Sequence, residues 1–393
     1  MATVLAIAVL LGSVAVAAMA PPRTEEFPGG AFYTPPGRLV AGPHGTLVRY
    51  ERVQPGTLPG ATTWRVMYRS ESVAGDPIAV TGLVLVPDAA APAGGRPVLT
   101  VGHGTAGIAD RCAPSHDPTK GDALLFGDAI ARGWLVVITD YEGLGTPGRH
   151  PYLVGASEGR AMLDAVRAAR RVPQADPSAR VGIIGYSQGG HAALWAHRLA
   201  STWTPELEVA GTVAGAPVSA LGRYLAAPPR GQTAGFTHLL VAGLAAAHPE
   251  ADPATYLTPE GVASLPIVDQ ACGVAVLGNY KDSNPDELVR LSGRGAEPWS
   301  SLARDNEPGG AAAAPLLVLH AALDEVIPIA DTEALVRRLC AAGQRTQLQV
   351  LSGPGAAAQG HGQAQAPSVG LGMAWLAERF ADRPGIVDDC PKR

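Results

Sequence analysis

The sequence is poor in charged and aromatic residues. Only 17% of its 393 residues are charged and 5% are aromatic, and 30 basic against 35 acidic residues give a net charge of -5. Nucleic-acid binding needs clustered Lys and Arg, and no such cluster stands out, so we predict no nucleic-acid partner. With 47% hydrophobic residues, the chain suits one large domain with an insertion, or two domains.

Cysteines are few, and none has the close CxxC spacing that is typical of a zinc site. The four are Cys112, Cys272, Cys340 and Cys390. This number suits an oxidising compartment and a pair of disulfide bonds, for which the sequence alone leaves the three possible pairings open.

Long hydrophobic runs are absent except at the N-terminus. Residues 1–20 carry no charge and end in Ala18-Met19-Ala20, which predicts a secretory signal peptide. Two features count against a signal peptide: no Lys or Arg precedes the apolar stretch, and Pro21 directly follows the expected cleavage site. The alternative is an uncleaved anchor at the cell envelope, because the stretch is nearly long enough to span a bilayer.

After a lead rich in Pro and Gly (residues 21–43), short runs of Val, Ile and Leu alternate with helical patterns. The runs are residues 97–104, 134–140, 181–187, 209–215 and 315–321. Such runs are typical of strands buried on both faces of a parallel sheet. Helices are predicted from a capping Ser157 to 171 and from a capping Asp331 to 342, the second stopped by Gly343. This alternation predicts an α/β fold of doubly wound type with a mostly parallel sheet.

One section breaks the alternation. Residues 219–310 lose clear strand runs, and the pattern resumes at Pro315. We therefore predict a core formed by residues 21–218 and 311–393, with 219–310 inserted as a helical lid or cap over the site. The alternative is a second domain that is unrelated to the chemistry.

The stretch Gly185-Tyr186-Ser187-Gln188-Gly189 matches the G-x-S-x-G pattern. A strand-like run precedes it and a helix-like pattern follows, as in the sharp turn that exposes a nucleophilic serine. The glycines allow the neighbouring backbone to approach a residue held in unfavourable backbone angles. We therefore predict that Ser187 is a nucleophile rather than an ordinary turn residue.

A serine hydroxyl needs a base beside it, and enzymes with this turn place the acid and then the histidine downstream of the serine. We predict His361 as the base, in a Gly-rich loop after the last strand-like run, 347–351. The other histidines fit less well: His320 lies in an apolar run, His191 and His197 follow the serine on its own helix, and His248 lies in the insertion.

The acid is expected in the loop just beyond the strand that ends near residue 321. Asp324 lies there in "HAALDEVIP", where a following Pro fixes the loop. Neighbouring Glu325 is expected to point elsewhere, and Asp331 is better explained as a helix cap. We predict that Asp324 orients His361.

Acyl transfer also needs donors for a developing oxyanion. One is the backbone N–H of Gln188, and the other is expected from "GHGTAG", residues 102–107, where Thr105 adds a hydroxyl to its amide. The alternative for this segment is a Gly-rich turn with a buried His103.

A further acidic pair, Asp140 and Glu142, follows the run 134–140, at an edge where sites of α/β sheets gather. No His or Cys cluster with ligand spacing accompanies the pair, so a role in shaping the loop is favoured and no metal is predicted.

Several motifs in order resemble the secretory lipases of the fungal lipase A type, a family with many bacterial members. They are "GYSQGGHAALWA", "DYEGLG", "ADRCAPS", "TAGFTHLLVAGLAAAHP", "HAALDEVIP" and the late cysteines. The resemblance implies an α/β-hydrolase fold with a mostly helical lid inserted before the strand that carries the acid. It also implies the triad Ser187, Asp324 and His361 and the oxyanion pair Thr105 and Gln188.

The resemblance further implies that Cys112 pairs with Cys272 and Cys340 with Cys390. Two departures from the fungal member stand out. Its oxyanion position is acidic where this chain has Thr105, and it continues into a C-terminal flap where this chain stops, which predicts a more open acyl pocket.

Together these features predict a secreted lipase that cleaves acylglycerols through a Ser-His-Asp acyl-enzyme, without a cofactor. Its partners are expected to be an ester or lipid substrate and a transient lipid interface, with no obligate protein partner. The alternatives are a short-chain carboxylesterase, an acyltransferase or a catalytically silent binding protein.

Overall fold

A computed structural model describes residues 25–26, 31–37, 39, 42–228, 232–353, 360–383 and 388–390. Segment 1–20, for which the sequence predicts a signal peptide or an anchor, lies outside these residues. Within the described ranges, no helix has the length and apolar character that crossing a membrane requires.

A single twisted sheet organises the described residues. Its strands are β1 (Glu25–Glu26), β2 (Leu47–Arg52), β3 (Ala61–Glu71), β4 (Pro77–Pro87), β5 (Arg96–Gly102), β6 (Leu135–Thr139), β7 (Pro177–Tyr186), β8 (Glu208–Gly215), β9 (Leu316–Ala321) and β10 (Thr346–Leu351). They lie in the order β1-β2-β3-β4-β6-β5-β7-β8-β9-β10. From β6 through β5 to β10 all neighbours are parallel, whereas β2, β3, β4 and β6 pair antiparallel. The predicted α/β fold with a mostly parallel sheet is confirmed.

Helices cover both faces of this sheet. They are α1 (Gly127–Ala131), α2 (Gly155–Ala169), α3 (Gln188–Trp203), α4 (Leu221–Ala226), α5 (Gln232–Ala247), α6 (Pro253–Tyr256), α7 (Pro259–Ser264), α8 (Val274–Tyr280), α9 (Pro285–Leu288), α10 (Trp299–Asp305), α11 (Ile329–Ala341) and α12 (His361–Phe380). In β7, Ile183 packs in the cluster under α2 and α3, whereas Ile184 packs in the cluster under α1 and α12. Because successive strand residues point to opposite faces, the central strands are apolar on both sides.

Two predicted helix caps are wrong. Helix α2 begins at Gly155 and α11 at Ile329, so Ser157 and Asp331 lie inside the first turns. Tertiary contacts use these side chains: the Ser157 hydroxyl donates to Glu142 at 2.5 Å, and Asp331 pairs with Arg223. Gly343 follows α11 with φ 86°, the conformation expected of a glycine that ends a helix.

The segment between β8 and β9 contains helices α4 to α10 and has a hydrophobic cluster of its own. This cluster includes Tyr152, Leu153 and Val154 from the loop before α2, so the insertion rests on that loop. The side-chain oxygen of Asn306, at the end of the insertion, accepts the N–H of Gly155 at 2.9 Å. This contact satisfies a backbone donor at the start of α2 in place of a local cap.

Disulfide bonds join Cys112 to Cys272 and Cys340 to Cys390, the pairings that the resemblance implies. The first fastens the insertion to the segment that follows β5. The second fastens the C-terminal residues to α11. Next to the first bond, the N–H of Gly273 donates to the carbonyl of Ala106 at 2.8 Å. The insertion is therefore held covalently beside the loop at the end of β5.

Candidate active site

Ser187 lies at the sharp turn between β7 and α3. Its φ of 59° and ψ of -119° are strained for a residue with a side chain. A Cβ atom on Gly185 would lie 2.0 Å from the Gly189 carbonyl oxygen, and a Cβ on Gly189 would lie 2.0 Å from that of Gly102. The two glycines of G-x-S-x-G are therefore needed, because neighbouring backbone atoms occupy the space that a side chain at either position would fill.

His361 and Asp324 form a hydrogen-bonded pair. The ring Nδ1 of His361 lies 2.7 Å from Oδ2 of Asp324, whose carboxylate is fully buried. The other oxygen, Oδ1, accepts the N–H groups of Val326 at 2.9 Å and Ile327 at 2.8 Å. Burial opposes ionisation of Asp324, but the hydrogen bond and charge of His361, with the two N–H groups, outweigh it and lower the pKa of Asp324. The carboxylate therefore stays charged and holds Nδ1.

The predicted position of His361 in a Gly-rich loop is wrong, since it is the first residue of helix α12. Its backbone is held at two points. Its N–H donates to Oε2 of Glu325 at 2.9 Å, and its carbonyl accepts the hydroxyl of Tyr186 at 2.7 Å. Glu325 was expected to point elsewhere, but it also reaches His361, through the backbone rather than the ring. The carboxylate suits this place because the N–H groups of a first helical turn lack intrahelical acceptors.

Ser187 and His361 line the same cavity, which has a volume of about 610 Å³. With Nδ1 of His361 held by Asp324, Nε2 is the ring nitrogen left to exchange a proton with a hydroxyl. Ser187 also lines a second, narrow cavity of about 50 Å³ with mostly apolar walls from the insertion and the loop before α11. The serine thus lies where two cavities of different size meet.

Of the two predicted oxyanion residues, Gln188 follows Ser187 in the chain and Thr105 lines the same cavity as Ser187. Gln188 is the first residue of α3, so its N–H belongs to the turn whose donors have no intrahelical acceptor. Thr105 lines the larger cavity, and its hydroxyl lies 2.7 Å from that of Tyr152. Burial raises the pKa of Tyr152, which keeps its hydroxyl protonated. When Tyr152 donates, the O–H of Thr105 is free to donate to another oxygen.

A buried polar network behind the nucleophile was not found from the sequence. The side-chain amide of Gln188 donates to Oε1 of Glu158 at 2.8 Å and to Nε2 of His150 at 2.9 Å. Nδ1 of His191 lies 2.7 Å from Oε2 of Glu158, and its Nε2 lies 2.8 Å from the carbonyl of Asn306. Burial lowers the pKa of His150 to about 4, so this ring is neutral and accepts at Nε2. The network fixes the start of α3 against α2 and the insertion.

The four histidines that the sequence favours less than His361 contact other groups. His320 is buried, and its Nε2 lies 2.9 Å from the carbonyl of Ile327. His191 and His197 are buried on α3 and face away from the serine: the ring of His197 contacts Thr212 and Gln344. His248 contacts Glu250 near the end of α5.

Asp140 holds loops together. Its buried carboxylate accepts the Thr81 hydroxyl at 2.7 Å, the Ser115 N–H at 2.9 Å and the Ser115 hydroxyl. Glu142 accepts the Ser157 hydroxyl at the start of α2. In the part of the chain that the structure describes, no three His, Cys, Asp or Glu side chains cluster as metal ligands would.

Comparison with known proteins identifies the family of this chain. A sequence model of the family described as "Secretory lipase" matches residues 118–388. The chain belongs to the secretory lipase family.

Known lipases are similar to this chain over most of its length. A lipase A of Moesziomyces aphidis is 28% identical, with 85% of this chain and 79% of that protein covered. The crystal structure of Candida antarctica lipase A in its closed state superposes with a TM-score of 0.78 at 23% identity, covering 92% of this chain and 88% of that one. The chain therefore has the α/β-hydrolase fold.

A further relative shows that similarity within the family does not by itself decide activity. A Mycobacterium tuberculosis protein named a probable inactive lipase is 26% identical, with 90% of this chain and 82% of that protein covered. Whether the present chain is catalytically active therefore has to be argued from its own side chains.

Proposed function

We propose that this protein is a secreted carboxylic ester hydrolase, a lipase that acts on acylglycerols. Ser187 would attack the ester carbonyl while Nε2 of His361 takes its proton, and Asp324 would stabilise the resulting imidazolium. The N–H groups of Thr105 and Gln188 would hold the oxyanion of the tetrahedral intermediate. His361 then protonates the leaving alcohol, and water releases the acid from the acyl-enzyme.

The observation that carries this proposal is the hydrogen bond of 2.7 Å between His361 and Asp324 beside the strained Ser187. A serine in an ordinary turn has no reason to share a cavity with a histidine whose ring is fixed by a buried carboxylate. The same arrangement argues against a silent binding protein, because orienting one ring nitrogen serves proton transfer.

The two cavities at Ser187 suggest how an ester would bind. The narrow apolar cavity suits the acyl chain, and the larger cavity suits the alcohol. Residues 219–310 would then act as the lid, since α4 and α5 supply walls of the narrow cavity. Val274 is 83% exposed at the larger cavity and Leu323 is 65% exposed beside Asp324, which suits transient contact with a lipid surface.

The small volume of the acyl cavity, about 50 Å³, favours short acyl groups in this conformation. The second candidate is therefore a short-chain carboxylesterase with the same machinery. An acyltransferase would differ only in the acceptor that attacks the acyl-enzyme. Secretion is proposed from segment 1–20 and agrees with the two disulfide bonds, which persist in oxidising compartments.

The test is hydrolysis of chromogenic esters with acyl chains from about two to sixteen carbons, in solution and at an emulsion interface. The proposal expects hydrolysis by the wild type and its loss in Ser187→Ala, with unchanged circular dichroism. Activity that rises at the interface and with long chains identifies a lipase, and activity confined to short dissolved esters identifies an esterase. Hydrolysis that survives in Ser187→Ala would refute the mechanism.

A further inference from the structure

Asp122 has no part in the reaction as described above, yet it lies on the wall of the larger cavity with Ser187 and His361. It belongs to a short helical turn, Gly121–Phe126, that precedes α1. The sequence around it carries no motif. Its position follows from the way this turn packs against the ends of β5 and α12.

Each carboxylate oxygen of Asp122 accepts one hydrogen bond, and the two donors come from different parts of the site. Oδ2 accepts the backbone N–H of Gly104 at 2.9 Å. Oδ1 accepts the side-chain amide of Gln365 at 2.8 Å. Gly104 precedes Thr105 in the oxyanion loop, and Gln365 lies one helical turn after His361 on α12. One side chain therefore joins the oxyanion loop to the helix that begins with the base.

Side chains contact both the backbone N–H and the backbone carbonyl of Gly104. Asp122 holds the N–H of Gly104, while Nδ1 of His103 lies 2.6 Å from its carbonyl oxygen. That carbonyl shares a planar peptide with the N–H of Thr105, so fixing it fixes the direction of the proposed oxyanion donor. A glycine has wide backbone freedom, and these two contacts restrict it where the donor must be aimed.

We propose that Asp122 is a positioning residue for catalysis: it aims the oxyanion loop and sets its distance from the helix that carries His361. The inference rests on the proposed function of Ser187, His361 and Thr105. Asp122 does not touch the reacting atoms. Preorganised donors stabilise a transition state only when they are aimed in advance, so releasing the loop should lower kcat more than it raises KM.

Four variants separate this role from simple packing. Asp122→Ala removes both acceptors. Asp122→Asn loses one acceptor but can keep both contacts, because Asn Oδ1 can accept from Gly104 while its NH₂ donates to the oxygen of Gln365 after that amide rotates by half a turn. Gln365→Glu places two carboxylates face to face. Adding Asp122→Asn to Gln365→Glu restores a donor and acceptor pair, so the double variant should recover activity that Gln365→Glu loses.

Steady-state kinetics on a soluble chromogenic ester provides the first readout. We expect Asp122→Ala to lose about 10- to 100-fold in kcat, as a misplacement of about 1 Å does, with KM within about threefold. Asp122→Asn and the double variant should stay within about threefold of the wild type, and Gln365→Glu should fall below both. Asp128→Ala, which removes an exposed aspartate paired with Arg132 on α1, is the matched control and should not change kcat.

Amide hydrogen exchange of residues 102–107 provides a second readout that does not need turnover. Asp122→Ala should speed exchange of the Gly104 amide, and Asp122→Asn should restore its protection. Wild-type kcat in Asp122→Ala, or a double variant no better than Gln365→Glu, would overturn the inference while leaving the proposed function intact. A wild-type protein that hydrolyses no ester would overturn the proposed function, and exchange unchanged in Asp122→Ala would then overturn the loop contact too.

Discussion

Two adjacent carboxylates reach His361 from different sides. Asp324 holds the ring at Nδ1, and Glu325 holds the backbone N–H at the start of α12. Both are acidic and both lie in the loop after β9, so the order of residues alone gives only a preference between them. The contacts differ: Asp324 fixes the tautomer of the His361 ring, and Glu325 anchors the backbone of the same residue.

Substituting each acid by its amide should separate these tasks. Asp324→Asn turns an NH₂ toward Nδ1 of His361 and favours the tautomer whose Nε2 carries the proton, so kcat should fall about 10³- to 10⁴-fold. Glu325→Gln still accepts from the backbone N–H through its amide oxygen, so only a few-fold loss is expected. Initial rates of ester hydrolysis provide the measurement. Comparable losses in the two variants would contradict the assignment of Asp324 as the acid.

The buried His150 predicts a pH dependence of stability. Its pKa falls from 6.5 to about 4 on folding because burial disfavours the charged ring. Between these values the unfolded chain takes up a proton that the folded protein does not, so the free energy of unfolding decreases as the pH falls. This single group accounts for about 2 to 3 kcal/mol between about pH 7 and pH 4.5.

Urea denaturation of the wild type and of His150→Gln at both pH values measures this contribution. The variant removes the titrating ring, so its loss of unfolding free energy on acidification should be smaller than that of the wild type. Other buried histidines with a lowered pKa, such as His197 and His320, act in the same direction and remain in both proteins. Equal losses in both would show that His150 does not titrate as its burial indicates.

Residues with a fixed spacing or order could be predicted from the sequence, and residues that meet only through folding could not. Ser187 stands in a motif, and Asp324 and His361 follow it in the chain order of enzymes that have this turn. Glu158 and Asp122 stand in no motif, and their roles depend on the approach of α2, β5 and α12 in space. Their roles can be assigned only from the hydrogen-bond partners that they have in the folded chain.

At the scale of elements, the central strands were predicted because they are apolar on both faces. The antiparallel strands β2, β3 and β4 were not. Strand β4 is an apolar run like the central strands, so it could have been predicted from the sequence. Strands β2 and β3 hide charged residues among apolar ones: Glu51 is buried and pairs with Arg65 across the two strands. From the sequence alone, a charged residue that pairs with a residue of the neighbouring strand cannot be distinguished from one that is exposed to solvent.

The insertion and α11 together shape the narrow cavity at Ser187. Arg223 of α4 forms an ion pair with Asp331 of α11, and both line this cavity. Arg223→Ala would remove a long side chain from the wall and make room for more of an acyl chain. Each additional buried methylene contributes about 0.8 kcal/mol, or about fourfold in kcat/KM. We therefore expect the preference to shift toward longer esters by at least about fourfold.

The ratio of kcat/KM for an eight-carbon and a four-carbon ester measures this shift. Arg304→Ala is the matched control, because Arg304 lies in the same insertion, pairs with the exposed Glu297 and does not line the cavity. The control should keep the wild-type ratio. An unchanged ratio in Arg223→Ala would contradict the assignment of the narrow cavity to the acyl chain.

At the scale of the whole molecule, the two disulfide bonds close loops of different length. The sequence separations are 160 residues for Cys112–Cys272 and 50 for Cys340–Cys390. In the chain-entropy model the longer loop contributes about 5 kcal/mol and the shorter about 4 kcal/mol to the free energy of unfolding. Replacing the first pair by alanines should therefore lower stability by about 1 kcal/mol more than replacing the second.

Denaturant titration of the two double variants compares these losses. The first variant also frees the insertion from the proposed oxyanion loop, so its ester hydrolysis should fall while that of the second variant stays close to the wild type. A larger loss of stability from removing Cys340–Cys390 would show that loop closure does not dominate. Unchanged hydrolysis in the first variant would show that the bond does not help to hold the site.

The central claim is that Ser187 is a nucleophile activated by His361, and covalent labelling tests it most directly. An alkyl phosphonate ester with a chromogenic leaving group is incubated with the wild type, Ser187→Ala and His361→Ala, and adducts are located by peptide mass spectrometry. We expect one phosphonyl group on the peptide that contains Ser187 in the wild type, none in Ser187→Ala and greatly slowed labelling in His361→Ala. An unlabelled wild type, or an adduct on another residue at the same rate in all three proteins, would contradict it.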